Sequence, residues 1–277
     1  MTVFQSLFLG ILQGLTEFIP VSSTAHMLIG QKTLGILPDD AMFSFLVLVQ
    51  LGTIISLIIY FWKDLWKILS ATVKSIKYLG KCSIGKLDQD ARLGWYIIIA
   101  TIPALIFGYL LKSAVEALFK TQLLEAGIRL IITAIVLSLS EWLGTRKRAL
   151  DKMNWFDALV IGIAQVLAVF PGASRSGTTI SAGMVLGFDR PAAARFAFLI
   201  SVPVMLAAGG YQSLDLLKMP GLGSFLPLLV VGFVTAAIIG WLAIKWLLGY
   251  LTNHSFYIFA VYCAVLGLIC FGITYVR

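Results

Sequence analysis

The segment Glu17–His26 reads EFIPVSSTAH and interrupts an otherwise apolar stretch near the beginning of the sequence. An apolar run, Val3–Ile19, precedes Pro20, and a shorter run, Thr24–Leu37, follows the two serines. About ten helical residues reach only about 15 Å, roughly half of the hydrocarbon core of a bilayer. The segment therefore predicts a helix that enters the membrane, breaks and turns back.

A second broken segment lies in the other half of the chain. The apolar run Phe156–Phe170 ends at Pro171-Gly172-Ala173-Ser174, and a short apolar piece, Thr178–Phe188, follows. Polar, non-helical backbone at membrane depth is tolerated only where protein or a water-filled cavity covers it. The two predicted hairpins therefore indicate a cavity inside the membrane.

The two broken segments resemble each other in sequence. Gly10-Ile11-Leu12-Gln13 matches Gly162-Ile163-Ala164-Gln165, which lies 152 positions later, and proline and serine follow in both copies. Weak internal similarity of this kind is typical of transporters built from repeats. The match predicts an internal duplication within one membrane domain, with repeat one at about residues 1–143 and repeat two at about residues 155–277.

The composition of the whole chain indicates a membrane protein. Of its 277 residues, 60% are hydrophobic and 12% are charged, whereas about 25% are charged in soluble domains. This composition excludes a disordered chain, a coiled coil and a conventional soluble enzyme. Besides the two hairpins, the chain contains six apolar runs long enough to cross or nearly cross a bilayer. These are Met42–Trp62, Trp95–Leu111, Leu123–Leu143, Phe196–Tyr211, Phe225–Leu248 and Phe256–Val276.

Basic loops predict the orientation of these spans. The net charge of +8 arises largely from two loops, Lys63–Arg92 and Arg146–Lys152, and such loops stay on the cytoplasmic side. Counting spans from them, the first hairpin enters from outside and the second from the cytoplasm. The predicted fold class is therefore an all-α polytopic membrane protein, with six spanning helices and two re-entrant helical hairpins arranged as inverted-topology repeats. The Lys63–Arg92 loop is either an amphipathic helix on anionic headgroups or a plain solvated loop.

The first break carries an ionisable residue at membrane depth. Glu17 is costly to hold in lipid, so it marks either a functional site or an ion pair, for example with Arg129. Gln13 and Glu17 are four residues apart and project from one helical face. Their oxygens suit a hard cation such as Mg²⁺ or Ca²⁺.

The two serines at this break allow two interpretations. Ser23 and His26 are three residues apart, so a helix that begins near Ser22 would place the hydroxyl beside the imidazole. A serine beside a histidine is the minimal activated nucleophile. Alternatively, Ser22 or Ser23 only caps the second half-helix.

The second break has the composition of an oxyanion site. Its glycines let the backbone approach a ligand, and the half-helix that follows presents unpaired N–H groups. Arg175 adds a planar donor fork suited to phosphate, and hydroxyls surround it at Ser174, Ser176 and Thr178. A carboxylate ligand would also fit this site. Alternatively, the small residues only allow helices to pack closely. If both breaks meet, one cavity holds an anion cradle, a Ser–His pair and a carboxylate, which together suit phosphoryl transfer.

The two broken segments resemble a known family. Glu17–His26 and Pro171–Thr179, which reads PGASRSGTT, closely resemble the two signature motifs of the bacterial undecaprenyl-diphosphate phosphatases, the bacitracin-resistance protein family. The resemblance covers essentially the whole chain. It implies removal of the terminal phosphate of undecaprenyl diphosphate, which recycles the lipid carrier for cell-wall (peptidoglycan) synthesis. It also implies a divalent cation, a site open to the outer face of the bacterial cytoplasmic membrane, and bacitracin resistance on overproduction.

The resemblance also assigns roles to individual residues. Glu17 matches the second acidic residue of the first motif, and Ser23 and His26 match its proposed nucleophile and catalytic histidine. Gln13 stands where many relatives have the first glutamate, which weakens a metal site built on two carboxylates. Ser174, Arg175 and Thr178 match the family's phosphate-contacting positions, and Ser22 and Ser176 are further expected phosphate contacts.

The expected reaction is attack by Ser23, deprotonated by His26, on the terminal phosphorus, with attack by metal-bound water as the rival. The expected partners are a polyprenyl diphosphate and membrane lipid, with bacitracin linked only through the shared substrate. No nucleic acid is expected, and a homodimer is compatible with the sequence. The alternative function is a lipid or anion transporter (flippase) that uses the same repeats.

Overall fold

The computed structural model describes residues 1–37, 40–78, 80–110, 122–167, 174–216 and 222–275. In these residues the chain forms eleven α-helices and no β-strand. In chain order they are α1 Val3–Phe18, α2 Ser23–Thr33, α3 Asp40–Tyr60, α4 Trp62–Ser75, α5 Gln89–Leu110, α6 Gln122–Leu143, α7 Trp155–Leu167, α8 Arg175–Val185, α9 Arg190–Leu216, α10 Leu222–Leu251 and α11 Tyr257–Tyr275.

Within the described ranges, five helices are long and apolar enough to cross a membrane, namely α5, α6, α9, α10 and α11. The sixth candidate is a bent pair, because α3 and α4 meet at an angle of 78° around Phe61. The prediction of an all-α polytopic membrane protein is therefore confirmed. The predicted run Met42–Trp62 corresponds to α3 and ends at this bend.

Helix α4 decides between the two interpretations of the basic loop. Residues Trp62–Ser75 are helical, so the solvated-loop alternative is wrong for this part. Trp62, Trp66, Leu69 and Val73 are exposed apolar side chains among its lysines. An amphipathic helix with this composition suits the membrane surface.

The two broken hairpins are present as pairs of short helices. The first pair, α1 and α2, has 16 and 11 residues, and the second pair, α7 and α8, has 13 and 11. Each is shorter than the roughly 20 residues that a span needs. The predicted cradle residues Pro171-Gly172-Ala173 lie outside the described residues.

Corresponding glycines make the same kind of contact in both halves. Helix α1 packs against α10, and α7 packs against α5. A Cβ atom on Gly10 would lie 2.6 Å from the carbonyl oxygen of Gly232, and one on Gly162 would lie 2.5 Å from that of Ala100. Only glycine permits such a close approach of two backbones. These contacts support the proposed duplication, whose repeat boundaries and inverted orientation stay predictions.

The core places both hairpins inside the helix bundle. Phe18, at the end of α1, contacts the ring of Phe198 on α9 edge to face, with 5.4 Å between centroids. Helix α6 packs on both α2 and α8, the second halves of the two hairpins. Because one helix supports both second halves, the two breaks are held side by side.

Candidate active site

The two helix breaks line one cavity of about 160 Å³. The first hairpin contributes Glu17 from the last turn of α1, together with Ser22, Ser23 and Thr24 around the start of α2. The second hairpin contributes its own polar residues, Ser174, Arg175 and Ser176. The residues predicted at the two tips are thus brought together.

Glu17 is the centre of the hydrogen-bond network in this cavity. Its Oε2 accepts bonds from Ser23 Oγ and from Gln13 Nε2, each of 2.7 Å. Gln50 Nε2 lies 3.2 Å from Oε1, and the Arg175 guanidinium forms an ion pair with the same oxygen. The Glu17 side chain is only 2% exposed. Both carboxylate oxygens are therefore fully engaged by polar partners, as a buried charge requires.

The suggested ion pair between Glu17 and Arg129 is wrong. Arg129 instead pairs with Glu125, which lies one turn earlier on α6. Because Arg175 is the partner of Glu17, the carboxylate of one hairpin is bound to the cation of the other. This pair links the two breaks directly.

Neither serine caps α2. Ser22 occupies the N-cap position with a φ of 65°, but its side chain makes no capping hydrogen bond. The hydroxyl of Ser23 turns back to Glu17 instead of the helix N-terminus. The left-handed backbone at Ser22 costs a non-glycine residue about 1–3 kcal/mol, and such conformations cluster at functional sites.

His26 bonds to groups other than Ser23. Its Nδ1 lies 2.9 Å from the carbonyl oxygen of Ser22, and its Nε2 lies 2.8 Å from the hydroxyl of Tyr262 on α11. Both ring nitrogens are therefore in use, and the Ser23–His26 pair that the spacing predicts is not formed. Ser23 and His26 both lie in α2, but the Ser23 hydroxyl bonds to Glu17 of α1, a partner that spacing within one helix does not reveal.

The second break is built around the N-terminus of α8. Ser174 caps this helix, because its Oγ accepts a bond of 3.2 Å from the Gly177 amide, and it also lies 3.2 Å from Ser176 Oγ. Arg175 is the first helical residue. Thr178 Oγ1 donates to the Ser174 carbonyl oxygen at 2.9 Å, and Thr178 is not among the cavity-lining residues. The structure thus places Ser174, Arg175 and Ser176 at the cavity, with Thr178 behind them.

Comparison with known proteins identifies the family. The family described as Bacitracin resistance protein BacA matches residues 6–269 of this chain. The chain belongs to the BacA family. Three similar relatives, each named undecaprenyl-diphosphatase, come from Chloroherpeton thalassium, Mycolicibacterium smegmatis and Syntrophobacter fumaroxidans. They are 42%, 40% and 38% identical, and each alignment covers 96–97% of this chain and 95% of the relative.

Two glutamines in this BacA-family cavity were not predicted as site residues. Gln50 on α3 reaches Glu17, and Gln165 on α7 lines the same cavity. The sequence does mark Gln50 as unusual, because burying an amide inside a long apolar run is costly unless the amide contributes to a site or bonds to a partner. In the sequence, Gln165 stands out only as the counterpart of Gln13 in the predicted duplication. Gln13 borders a smaller neighbouring cavity together with Ser23 and Gln50.

The charges at the BacA-family site balance in pairs. Arg175 is paired with Glu17, and Arg129, which also lines the cavity, is paired with Glu125. Among the residues that the structure describes, these two guanidinium groups and two carboxylates have a net charge of zero. A diphosphate that enters this cavity must therefore displace a carboxylate from its guanidinium or bring a cation with it.

Proposed function

We propose that this chain hydrolyses undecaprenyl diphosphate to undecaprenyl phosphate and inorganic phosphate, and so recycles the lipid carrier for cell-wall synthesis. The observation that carries the proposal is the Ser23 hydroxyl, which donates to Glu17 in the same cavity as Arg175. A nucleophile, a carboxylate and a phosphate-binding fork in one cavity are the parts that phosphoryl transfer needs. The curated relatives named undecaprenyl-diphosphatase give the substrate.

In the first step, Ser23 Oγ attacks the terminal phosphorus. A bond forms from Oγ to phosphorus, and the bond from phosphorus to the bridging oxygen breaks, so that the lipid monophosphate leaves. Glu17 accepts the hydroxyl proton, because it already accepts the hydrogen bond of Ser23 at 2.7 Å. Arg175 turns its donor fork to the charge that builds on the phosphoryl oxygens.

In the second step, water hydrolyses the phosphoseryl group. Glu17 first passes the proton from Ser23 to the departing lipid monophosphate, and its carboxylate then takes a proton from water as a phosphorus–oxygen bond forms and the bond to Ser23 Oγ breaks. Proton return restores the hydroxyl. His26 acts as a positioning residue in this scheme, because it fixes the turn through the Ser22 carbonyl oxygen and bonds to Tyr262.

A divalent cation, Mg²⁺ or Ca²⁺, remains part of the proposal. The described residues contain no group of three His, Cys, Asp or Glu side chains that could hold an ion alone. Mg²⁺ is commonly held by one or two carboxylates and completed by substrate phosphates and water. Glu17 fits this pattern, and the amide oxygens of Gln13 and Gln50 would support it after rotation of their amides. The cation would supply charge neutralisation on the diphosphate, which the balanced cavity does not offer.

We also propose that the site opens to the outer face of the bacterial cytoplasmic membrane. The positions of the basic loops support this orientation. Phosphate released from right-side-out vesicles should then appear outside them. Bacitracin is expected to act only through the shared lipid diphosphate, and the homodimer stays a prediction to be tested by the mass of the detergent-solubilised protein.

Phosphate release tests the proposed function. Purified protein in detergent, incubated with a polyprenyl diphosphate and Mg²⁺, should release inorganic phosphate, and the Ser23→Ala variant should not. The names of the relatives do not favour the transporter alternative. Exchange of lipid across vesicles without any phosphate release would contradict hydrolysis.

A further inference from the structure

Gln165 lies at the cavity wall and makes no hydrogen bond to the part of the chain that the structure describes. Its side chain is buried, with 1% exposure, and neither Nε2 nor Oε1 makes a hydrogen bond to a described protein group. Buried amides almost always have a partner, and one that lacks it calls for an explanation. Because Gln165 lines the same cavity as Ser23 and Arg175, a ligand in that cavity can supply the partner.

The predicted duplication gives a reason why the Gln165 amide has no partner among the described residues. Its counterpart, Gln13, donates to Glu17 four residues further along α1. The residue four positions after Gln165 is Val169, which has no polar side-chain atom. The second repeat therefore keeps the glutamine but lacks the carboxylate that would accept its hydrogen bond.

Arg129 brings a cation to the same cavity. It lines the wall from α6, and its guanidinium is held by Glu125 on the same helix. A guanidinium and a neutral amide together offer several N–H donors to one phosphate group. In the proposed reaction, the attacked group is bound by Ser23, Arg175, Ser174 and Ser176, so a diphosphate needs a second set of donors for its other phosphate.

We propose that Gln165 and Arg129 form a second phosphate subsite, which binds the phosphate that remains on the lipid. This assignment rests on the proposed diphosphate hydrolysis. The Nε2 of Gln165 donates to a phosphate oxygen, and Arg129 supplies the charge. The lipid chain places its phosphate at this subsite, whereas a free phosphate ion binds at the attacked subsite, where Arg175 begins α8 and the helix N-terminus adds N–H donors.

Binding of the two products separates this subsite from the attacked one. Titration calorimetry on the full chain in detergent would measure binding of a short-chain polyprenyl monophosphate and, separately, of inorganic phosphate. Gln165→Leu should weaken binding of the lipid monophosphate by about 10- to 100-fold, the range for a hydrogen bond to a charged group. It should leave binding of inorganic phosphate unchanged, and it should raise KM for the diphosphate more than it lowers kcat.

Two further variants keep the test decisive if Gln165→Leu does not fold. Gln165→Glu has nearly the same shape and should weaken the lipid monophosphate through charge repulsion. The double variant Glu125→Gln with Arg129→Gln removes both charges of the pair and should also weaken it. Ser181→Ala is the matched control, because the Ser181 hydroxyl is likewise buried without a partner among the described residues but does not line the cavity.

Three outcomes are informative. Unchanged binding of the lipid monophosphate in the Gln165 variants would overturn the subsite, and so would an equal loss of inorganic phosphate binding. Wild-type protein that binds the lipid monophosphate through Gln165 but releases no phosphate from the diphosphate would support the subsite and contradict the proposed hydrolysis.

Discussion

The hydroxyl of Ser23 donates a hydrogen bond of 2.7 Å to Oε2 of Glu17 across the break between α1 and α2. The same oxygen accepts a bond from Gln13, and the other oxygen is paired with Arg175 of the second hairpin. One carboxylate therefore touches the proposed nucleophile and the proposed phosphate-binding residue at once. The consequences of this arrangement can be tested residue by residue.

Loss of Ser23 should stop turnover. Ser23→Ala is expected to lower phosphate release from a polyprenyl diphosphate by at least about 100-fold, because nucleophile and general base act as a unit. Glu17→Gln should cause a comparable loss, since the amide cannot accept the proton. Thr33→Ala, which removes an exposed hydroxyl near the end of α2, serves as control. Substantial activity in Ser23→Ala would contradict the covalent mechanism.

The His26–Tyr262 bond should have a smaller effect. Tyr262→Phe removes the hydroxyl partner of His26 Nε2, and a neutral hydrogen bond contributes about 0.5–1.5 kcal/mol. We therefore expect a decrease in kcat of about 2- to 10-fold. Tyr257→Phe, on the same helix α11, is the matched control. If Tyr262→Phe is as inactive as Ser23→Ala, the histidine takes part in the chemistry itself.

Arg175 and Glu17 should depend on each other for stability. Arg175→Gln leaves a buried carboxylate without its cation, and breaking a buried pair costs about 3–5 kcal/mol when it is fully desolvated. Arg175 is 21% exposed, so we expect a smaller loss. The double variant Glu17→Gln with Arg175→Gln should have a higher Tm in detergent than Arg175→Gln alone, and neither should release phosphate. Equal Tm values would show that the Glu17–Arg175 ion pair contributes little to stability.

The corresponding glycines should be equally intolerant of a side chain. Gly10→Ala and Gly162→Ala each place a Cβ within 2.6 Å of a backbone oxygen, and overpacking of this kind costs about 1–3 kcal/mol. Both variants should lower Tm in detergent. Gly249→Ala, where no atom lies within 4 Å of the added carbon, should leave it unchanged or raise it slightly. A neutral Gly162→Ala would argue against equivalent packing in the two halves.

Removal of divalent cations should stop phosphate release. Only one carboxylate, Glu17, lines the cavity among the described residues, so the cation must bind together with the phosphates of the substrate. Treatment with EDTA should abolish activity, and Mg²⁺ or Ca²⁺ should restore it. Calorimetry should detect much tighter cation binding with the lipid diphosphate than without it. Full activity in excess EDTA would exclude this requirement.

The sequence predicts the framework of this fold more reliably than the contacts at its centre. Apolar length and the proline–serine breaks predict the spans and both hairpins, because helix length relative to bilayer thickness is a strong physical constraint. The partner of Ser23 was not predictable from spacing. Spacing places Ser23 and His26 on neighbouring positions of α2, but the Ser23 hydroxyl bonds to Glu17 across the break and both nitrogens of His26 bond to other groups.

Contacts between helices that are distant in sequence were also not predictable from the sequence. Gln50 reaches Glu17 from α3, and Arg129 reaches the cavity from α6. Their polarity in apolar runs marks them as unusual, but the side of the helix that faces the cavity depends on packing. The pairing of Arg129 with Glu125 rather than with Glu17 also depends on packing, because both acids are compatible with the sequence.

The pairing of Glu17 with Arg175 has a consequence for the end of the reaction cycle. A phosphate ion released beside Arg175 competes for the guanidinium with the Glu17 carboxylate. This carboxylate is part of the chain and cannot diffuse away. In the proposed mechanism, the tethered carboxylate returns to the guanidinium once the bond between phosphate and Ser23 is broken. Glu17 would then act as an internal competitor that displaces the phosphate product and leaves the cavity ready for the next lipid.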